Sequence, residues 1–108
     1  MNMDNNYELR REYSKNQFFE KIQKEMGNKY DAKKCFEIVS SSVFHFSSSF
    51  KIKILEPNKF SVQEIFNWTK NAGASMFNIS KETFNLVMDI DYEKIPTQNK
   101  DINFQVKI

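Results

Sequence analysis

The sequence contains few of the residues that form glycine-rich loops, disulfide bonds or zinc sites. Its 108 residues include two glycines, two prolines, one cysteine and one histidine. So few glycines exclude a long glycine-rich loop of the kind that cradles phosphate groups. Because Cys35 is alone, the chain can form neither an intramolecular disulfide nor a cysteine-rich zinc site.

The chain also lacks long apolar runs and a strong excess of charge. No apolar run approaches the roughly 20 residues that a membrane span needs. The first residues, MNMDNNYELRREY, have no apolar signal core. A net charge of +2 is small for a dedicated DNA-binding domain. We therefore expect a cytoplasmic protein that does not contact a membrane.

The composition is that of a folded domain. Hydrophobic residues make up 40% of the chain and charged residues 28%, and eleven residues are phenylalanine. These proportions are typical of a globular protein and not of a disordered one. The length suits one domain with one core. We predict a single α+β domain over residues 1–108, in which residues 1–13 either are partly disordered or extend the first helix.

The first strong local pattern predicts a helix over residues 15–26. Ser14 and Gln17 have the spacing of a capping box, in which the serine hydroxyl accepts a backbone hydrogen bond at the start of a helix. Apolar residues then recur at helical spacing up to Met26. Gly27 follows, and glycine commonly ends a helix because it adopts positive φ without strain.

A second capping box predicts a second helix, which begins after Ser61. Ser61 and Glu64 have the same spacing as the first pair, and Gly73 is the expected end of the helix. Trp68 is expected at the margin of the buried side. The residues expected on that buried side are Val62, Ile65, Phe66 and Thr69.

Between the helices the apolar period changes from 3.6 to 2, which is typical of half-buried strands. Residues 43–55 alternate in this way, so we predict one long strand with Phe44, Phe46 and Phe50 in the core. His45, Ser47, Ser49, Lys51 and Lys53 then lie on its polar face.

The remaining strands complete a predicted sheet. Residues 34–40 fit a strand, which we favour, or a short helix capped by Asp31. Further strands are predicted over residues 76–79, 83–92 and 102–108. Short connections imply antiparallel pairing. We predict a mainly antiparallel sheet of about four to five strands with two to three helices packed on one face.

The segment SSSVFHFSSSF, residues 40–50, is the best candidate for nucleophilic catalysis because it surrounds the single histidine with serines. Neighbours on one strand face are roughly 6.5–7 Å apart. A serine activated by histidine needs a hydrogen bond of about 2.6–3.2 Å. A Cys35–His45 dyad requires both residues on adjacent strands. We favour a solvated strand face, and we predict no enzyme activity, no catalytic residue, no metal and no cofactor.

Two charged strips remain as candidate binding residues. Asp89, Asp91 and Glu93 fit a divalent cation site, an acidic strip that keeps a strand soluble, or a contact surface for a basic partner. We favour the last two of these readings. Lys51 and Lys53, near His45, form a small basic strip that suits nucleic acid only if aromatic side chains share its face.

These observations favour a small protein-binding inhibitor, such as a toxin-neutralising immunity protein, an antitoxin or a phage-type inhibitor. Its partner would be another protein, for example a basic toxin or nuclease, and it would act by covering that protein's surface. The abundance of lysine and asparagine, typical of AT-rich genes of phages and mobile elements, points to this narrower class. The alternatives are a nucleic-acid-binding domain and a non-catalytic subunit of a larger assembly. The predicted partner-binding residues are Asp89, Asp91, Glu93, His45, Lys51 and Lys53.

Overall fold

Four antiparallel strands and three helices make up residues 3–95, the part of the chain that the computed structural model describes. The strands are β1 (Phe36–Val43), β2 (Ser47–Ile54), β3 (Ala74–Phe77) and β4 (Thr83–Asp89), in the spatial order β1-β2-β4-β3. The helices are α1 (Met3–Met26), α2 (Ala32–Cys35) and α3 (Val62–Asn71), and a 3₁₀ turn (Tyr92–Lys94) follows β4. The predicted α+β class is confirmed. The strand predicted over residues 102–108 lies outside the described residues.

The helices cover one face of the sheet, as predicted. Alternate residues of the two central strands are buried on that face: Ser48, Phe50, Ile52 and Ile54 in β2, and Phe84, Leu86 and Met88 in β4. Phe18 of α1 packs its ring against Phe50, with the ring centroids 5.5 Å apart. The intervening residues, such as Lys51 and Lys53, point to the open face and are exposed.

Helix α1 is longer than predicted, and the capping box at Ser14 and Gln17 is wrong. Ser14 lies in mid-helix, fully buried, and its hydroxyl donates to the Arg11 carbonyl at 2.8 Å. A small polar residue that is buried against the fold therefore produced the same spacing as a helix cap. Residues 3–13 extend the helix, which was one of the two expectations for this segment. The predicted end is confirmed, because Gly27 has a φ of 68°.

Helix α3 begins as predicted. The Ser61 hydroxyl accepts the Glu64 N–H at 3.1 Å, and the Glu64 carboxylate accepts the Ser61 N–H at 3.0 Å. Gly73, with a φ of 82°, follows the end of the helix. The buried side is narrower than predicted. Ile65 and Thr69 are buried, whereas Val62 and Phe66 are 47% and 41% exposed.

We expect Ser61→Ala to lower the free energy of unfolding by about 1 kcal/mol, because it leaves the Glu64 N–H without its side-chain acceptor. Chemical denaturation followed by circular dichroism measures this change. Gln63→Ala, at an exposed position of the same helix, is the matched control and should alter stability by less than about 0.5 kcal/mol. Equal effects of the two substitutions would contradict a role for the cap.

Residues 34–40 contain both of the structures that the sequence left open. Asp31 caps the short helix α2, and its carboxylate accepts the Lys33 N–H at 3.1 Å. The chain then turns directly into β1 at Phe36, so the favoured strand is confirmed. The register of β1 against β2 shifts at Val39, which is the extra residue of a bulge.

The long strand predicted over residues 43–55 is wrong at its beginning. Residues 44–46 form the turn of the β1–β2 hairpin, and β2 begins at Ser47. Phe44 and Phe46 are 52% and 81% exposed, so they do not belong to the core, whereas Phe50 is buried there as predicted. A period of two continues through such a turn by chance, and no glycine or proline marks it.

Candidate binding site

The backbone of the β1–β2 turn is bonded to other parts of the fold. The Phe44 N–H donates to the Ser47 carbonyl at 2.8 Å, which closes the turn. The Phe44 carbonyl accepts a hydrogen bond of 2.7 Å from the Arg10 guanidinium of α1. The Phe46 carbonyl accepts the Ile90 N–H, just after β4, at 2.9 Å. The turn is therefore fixed from two sides.

Tyr92 fastens the segment after β4 to the same turn. The Tyr92 hydroxyl donates to the Ser47 carbonyl at 2.9 Å. It is also bonded to the buried Ser48 hydroxyl. Because the Tyr92 hydroxyl has a single hydrogen, Ser48 must be the donor in this second bond. The Arg10 guanidinium lies over the Tyr92 ring, 4.5 Å from its centroid. Burial raises the pKa of Tyr92 above its ordinary value, against smaller opposing effects of Ser48 and Arg10. Tyr92 therefore stays protonated at neutral pH and keeps its donor role.

Three carboxylates stand beside this turn. Asp89, the last residue of β4, lies opposite Ser47 and is exposed. Asp91 caps the 3₁₀ turn, because its carboxylate accepts the Glu93 N–H at 3.1 Å. Glu93 is exposed on that turn. The prediction of an acidic strip along one strand is therefore wrong, since only Asp89 belongs to the strand.

The turn and the acidic segment surround a shallow hollow of about 470 Å³. Its lining residues are Lys21, His45, Phe46, Asp89, Ile90, Asp91, Tyr92 and Glu93. We call five of these, His45, Phe46, Asp89, Asp91 and Glu93, the tip site. It combines an exposed aromatic ring, an imidazole and three carboxylates on a fixed backbone. Such a surface suits recognition of a basic group on another molecule.

The six predicted partner-binding residues separate into two groups. His45, Asp89, Asp91 and Glu93 come together in the tip site. Lys51 and Lys53 do not join them, because they lie on the open face of β2, opposite Asn85 and Thr83 of β4. Lys51 is four residues beyond Ser47, or roughly 13 Å along the strand. A basic strip that includes His45 is therefore not formed.

The Cys35–His45 dyad is excluded by topology. Cys35 ends α2, and its carbonyl accepts the Leu55 N–H at one end of the β1–β2 hairpin. His45 lies in the turn at the other end, beyond the eight residues of β1, or roughly 26 Å away. Burial is the main effect that raises the pKa of the Cys35 thiol, so it stays protonated within the core. Within residues 3–95, no hydrogen bond joins His45 to a serine.

A second hollow, of about 480 Å³, lies between α1 and α2. One of its lining groups, the Gln23 amide, is already bonded within the fold. The amide nitrogen donates to the carbonyls of Gly27 and Tyr30 at 2.8 and 2.7 Å, and its oxygen accepts the Ala32 N–H at 2.8 Å. Gln23 therefore holds the connection between the two helices, which is a structural role.

The sequence reasoning missed four residues that shape the tip site: Arg10, Phe44, Phe46 and Tyr92. One signal could have located the two phenylalanines. The strand predicted over residues 43–55 is more than twice as long as an ordinary strand of about five to six residues, which favours a turn within it. Nothing in the sequence pairs Arg10 with Phe44 or Tyr92, since those contacts depend on how α1 crosses the hairpin.

Comparisons with protein-family models, with curated proteins and with solved structures each gave no match. No helix within residues 3–95 has both the length and the apolar character needed to cross a membrane. In the same part of the chain, no group of three or more histidine, cysteine, aspartate or glutamate side chains is arranged to hold a metal ion.

Proposed function

We propose that this protein binds a partner protein through the tip site and inhibits it by covering part of its surface. The observation that carries the proposal is Phe46, a residue that is 81% exposed on a turn with bonded backbone carbonyls. An aromatic residue so exposed gains little within its own fold. On a partner, it can bury a large apolar area.

The fixed backbone makes this exposed ring effective for binding. A flexible loop loses conformational entropy when it binds, whereas a turn already held by α1 and by Ile90 loses little. Aromatic side chains near the centre of an interface commonly account for much of its binding free energy. Phe46 has this character, and His45 beside it has an exposed ring that can contribute.

The carboxylates indicate the charge of the partner. Asp89 and Glu93 are exposed beside Phe46 around the hollow, so they favour a surface rich in lysine or arginine. Such attraction accelerates association and weakens as salt screens it over about 8–10 Å. A basic toxin or nuclease would present a surface of this kind. Inhibition would then follow if the covered surface includes the partner's own site.

We expect the Asp89→Lys and Glu93→Lys double variant to lose the partner that the unchanged protein captures. The substitutions replace two carboxylates beside Phe46 with ammonium groups, which would repel a basic partner surface instead of attracting it. Asp91 is left in place because it caps the 3₁₀ turn, and its replacement would disturb the structure. The measurement is an affinity pull-down from lysate of the source cells after nuclease treatment, read by mass spectrometry.

The matched control reverses charges away from the tip site. Lys51→Glu and Lys53→Glu change the same number of charges on the open sheet face. A protein that the control captures and the tip variant does not would support the proposal. The proposal would be overturned if that protein is lost only with the control, or if both variants still capture it.

One observation favours nucleic-acid binding as a second candidate. Lys51 lies opposite Asn85, which in turn lies opposite Phe77 on the next strand. Phe77 is 42% exposed, so a cation and an aromatic ring share the open face, as single-strand binding surfaces require. In a parallel pull-down without nuclease treatment, this function would appear as captured proteins that are absent after nuclease treatment and absent with the Lys51/Lys53 variant.

A further inference from the structure

We propose that Arg10 is the positioning residue of the tip site, an inference that rests on the proposed function. Arg10 does not line the hollow. Its guanidinium contacts both parts that form the hollow, the Phe44 carbonyl in the turn and the Tyr92 ring in the segment after β4. It therefore fixes the distance between Phe46 and the carboxylates that a partner would meet.

The chemistry of the two contacts explains why an arginine is placed here. A guanidinium is planar, so its edge can donate to the Phe44 carbonyl while its face stacks on the Tyr92 ring. A lysine ammonium has no flat face and is more strongly hydrated, so it cannot reproduce both contacts together. Arg10 and Tyr92 act as a pair in this arrangement, because Tyr92 also bonds the Ser47 carbonyl of the same hairpin.

Arg11 provides an unusually close control. It is the next residue of the same helix and carries the same charge. Its guanidinium donates to the Ser41 hydroxyl at 3.0 Å and to the Glu8 carboxylate at 3.3 Å. Ser41 lies within β1 and not in the turn, opposite the buried Phe50. Loss of Arg11 should therefore loosen the contact of α1 with β1 and leave the tip unchanged.

Hydrogen exchange of the free protein tests the inference without any partner. The Phe44 amide donates within the turn, and the Ile90 amide donates to the Phe46 carbonyl of the turn. We expect Arg10→Gln to accelerate hydrogen exchange of both amides by about tenfold. The Ile54 amide, bonded to Glu82 at the other end of the sheet, should be unchanged. Arg11→Gln should leave all three amides unchanged. Unchanged exchange of Phe44 and Ile90 with Arg10→Gln would overturn the positioning role.

Binding to a protein captured in the pull-down gives the second readout. Arg10→Gln is expected to weaken this binding about tenfold while every residue of the tip site is still present, and Arg10→Lys should restore only part of it. Equal affinity of Arg10→Gln and the unchanged protein would overturn the inference. If the proposed function fails and no protein is captured, faster exchange at Phe44 and Ile90 still establishes Arg10 as the residue that fixes the tip.

Discussion

Phe18→Ala is expected to lower the free energy of unfolding by about 3–5 kcal/mol, enough to remove a large part of the stability of a domain of this size. Phe18 of α1 is fully buried. Its ring lies 5.5 Å from that of Phe50 in β2 and 6.4 Å from that of Phe36 in β1. Removing it leaves a cavity between the helix and both strands, which the sheet cannot close. Urea denaturation followed by circular dichroism measures the loss.

The neighbouring residue gives the control for this substitution. Phe19 has a ring 5.1 Å from that of Phe18 but lies at the margin of the core and lines the hollow between α1 and α2. Because its ring is only partly buried, Phe19→Ala should cost less than half as much as Phe18→Ala. Equal losses would mean that α1 rests on the sheet differently from the arrangement described here.

The fold could be predicted where local chemistry and tertiary packing demand the same residues. Ser61 and Glu64 bond one another within four residues, so the start of α3 is a local property. The alternation in β4 is visible within seven consecutive residues, and it matches the packing because one side of the strand faces the core at Phe84, Leu86 and Met88. In both cases the sequence pattern and the observed packing have the same physical cause.

The sequence failed where one pattern has two physical causes. Ser14 has the spacing of a cap, yet its small side chain is needed where α1 is buried against the rest of the fold. Phe44 and Phe46 continue the alternation of a strand, yet the chain reverses at these residues. A local window cannot distinguish these cases, since the deciding contacts come from residues more than thirty positions away, such as Arg10 with Phe44.

The candidate site was predictable only in its charged part. Asp89, Asp91 and Glu93 are close in sequence, so their grouping needed no knowledge of the fold. Their approach to His45 and Phe46 follows from the β2–β4 register, in which Ser47 lies opposite Asp89. Alternation along a strand does not reveal that register. It emerges only when β2 and β4 are paired, which brings Ser47 beside Asp89 although the two residues are far apart in sequence.

Phe46→Ala is expected to weaken binding of the captured partner about 30-fold, the effect of losing roughly 2 kcal/mol from a central aromatic contact. The free energy of unfolding should change by less than about 0.5 kcal/mol, because the Phe46 ring packs little against its own fold. Isothermal titration calorimetry with the purified partner measures the affinity. Urea denaturation of the free variant measures the stability.

Phe44→Ala tests whether the loss of affinity with Phe46→Ala is specific to the tip site or is a general effect of removing an exposed aromatic ring. Phe44 belongs to the same turn and is 52% exposed, but its side chain does not line the hollow. Its substitution should leave the Arg10 hydrogen bond intact, because that bond is made to the Phe44 backbone carbonyl. We therefore expect Phe44→Ala to weaken binding less than fivefold. Equal losses of affinity with Phe44→Ala and Phe46→Ala would mean that the whole turn binds as an apolar surface. Recognition would then not depend specifically on the carboxylates.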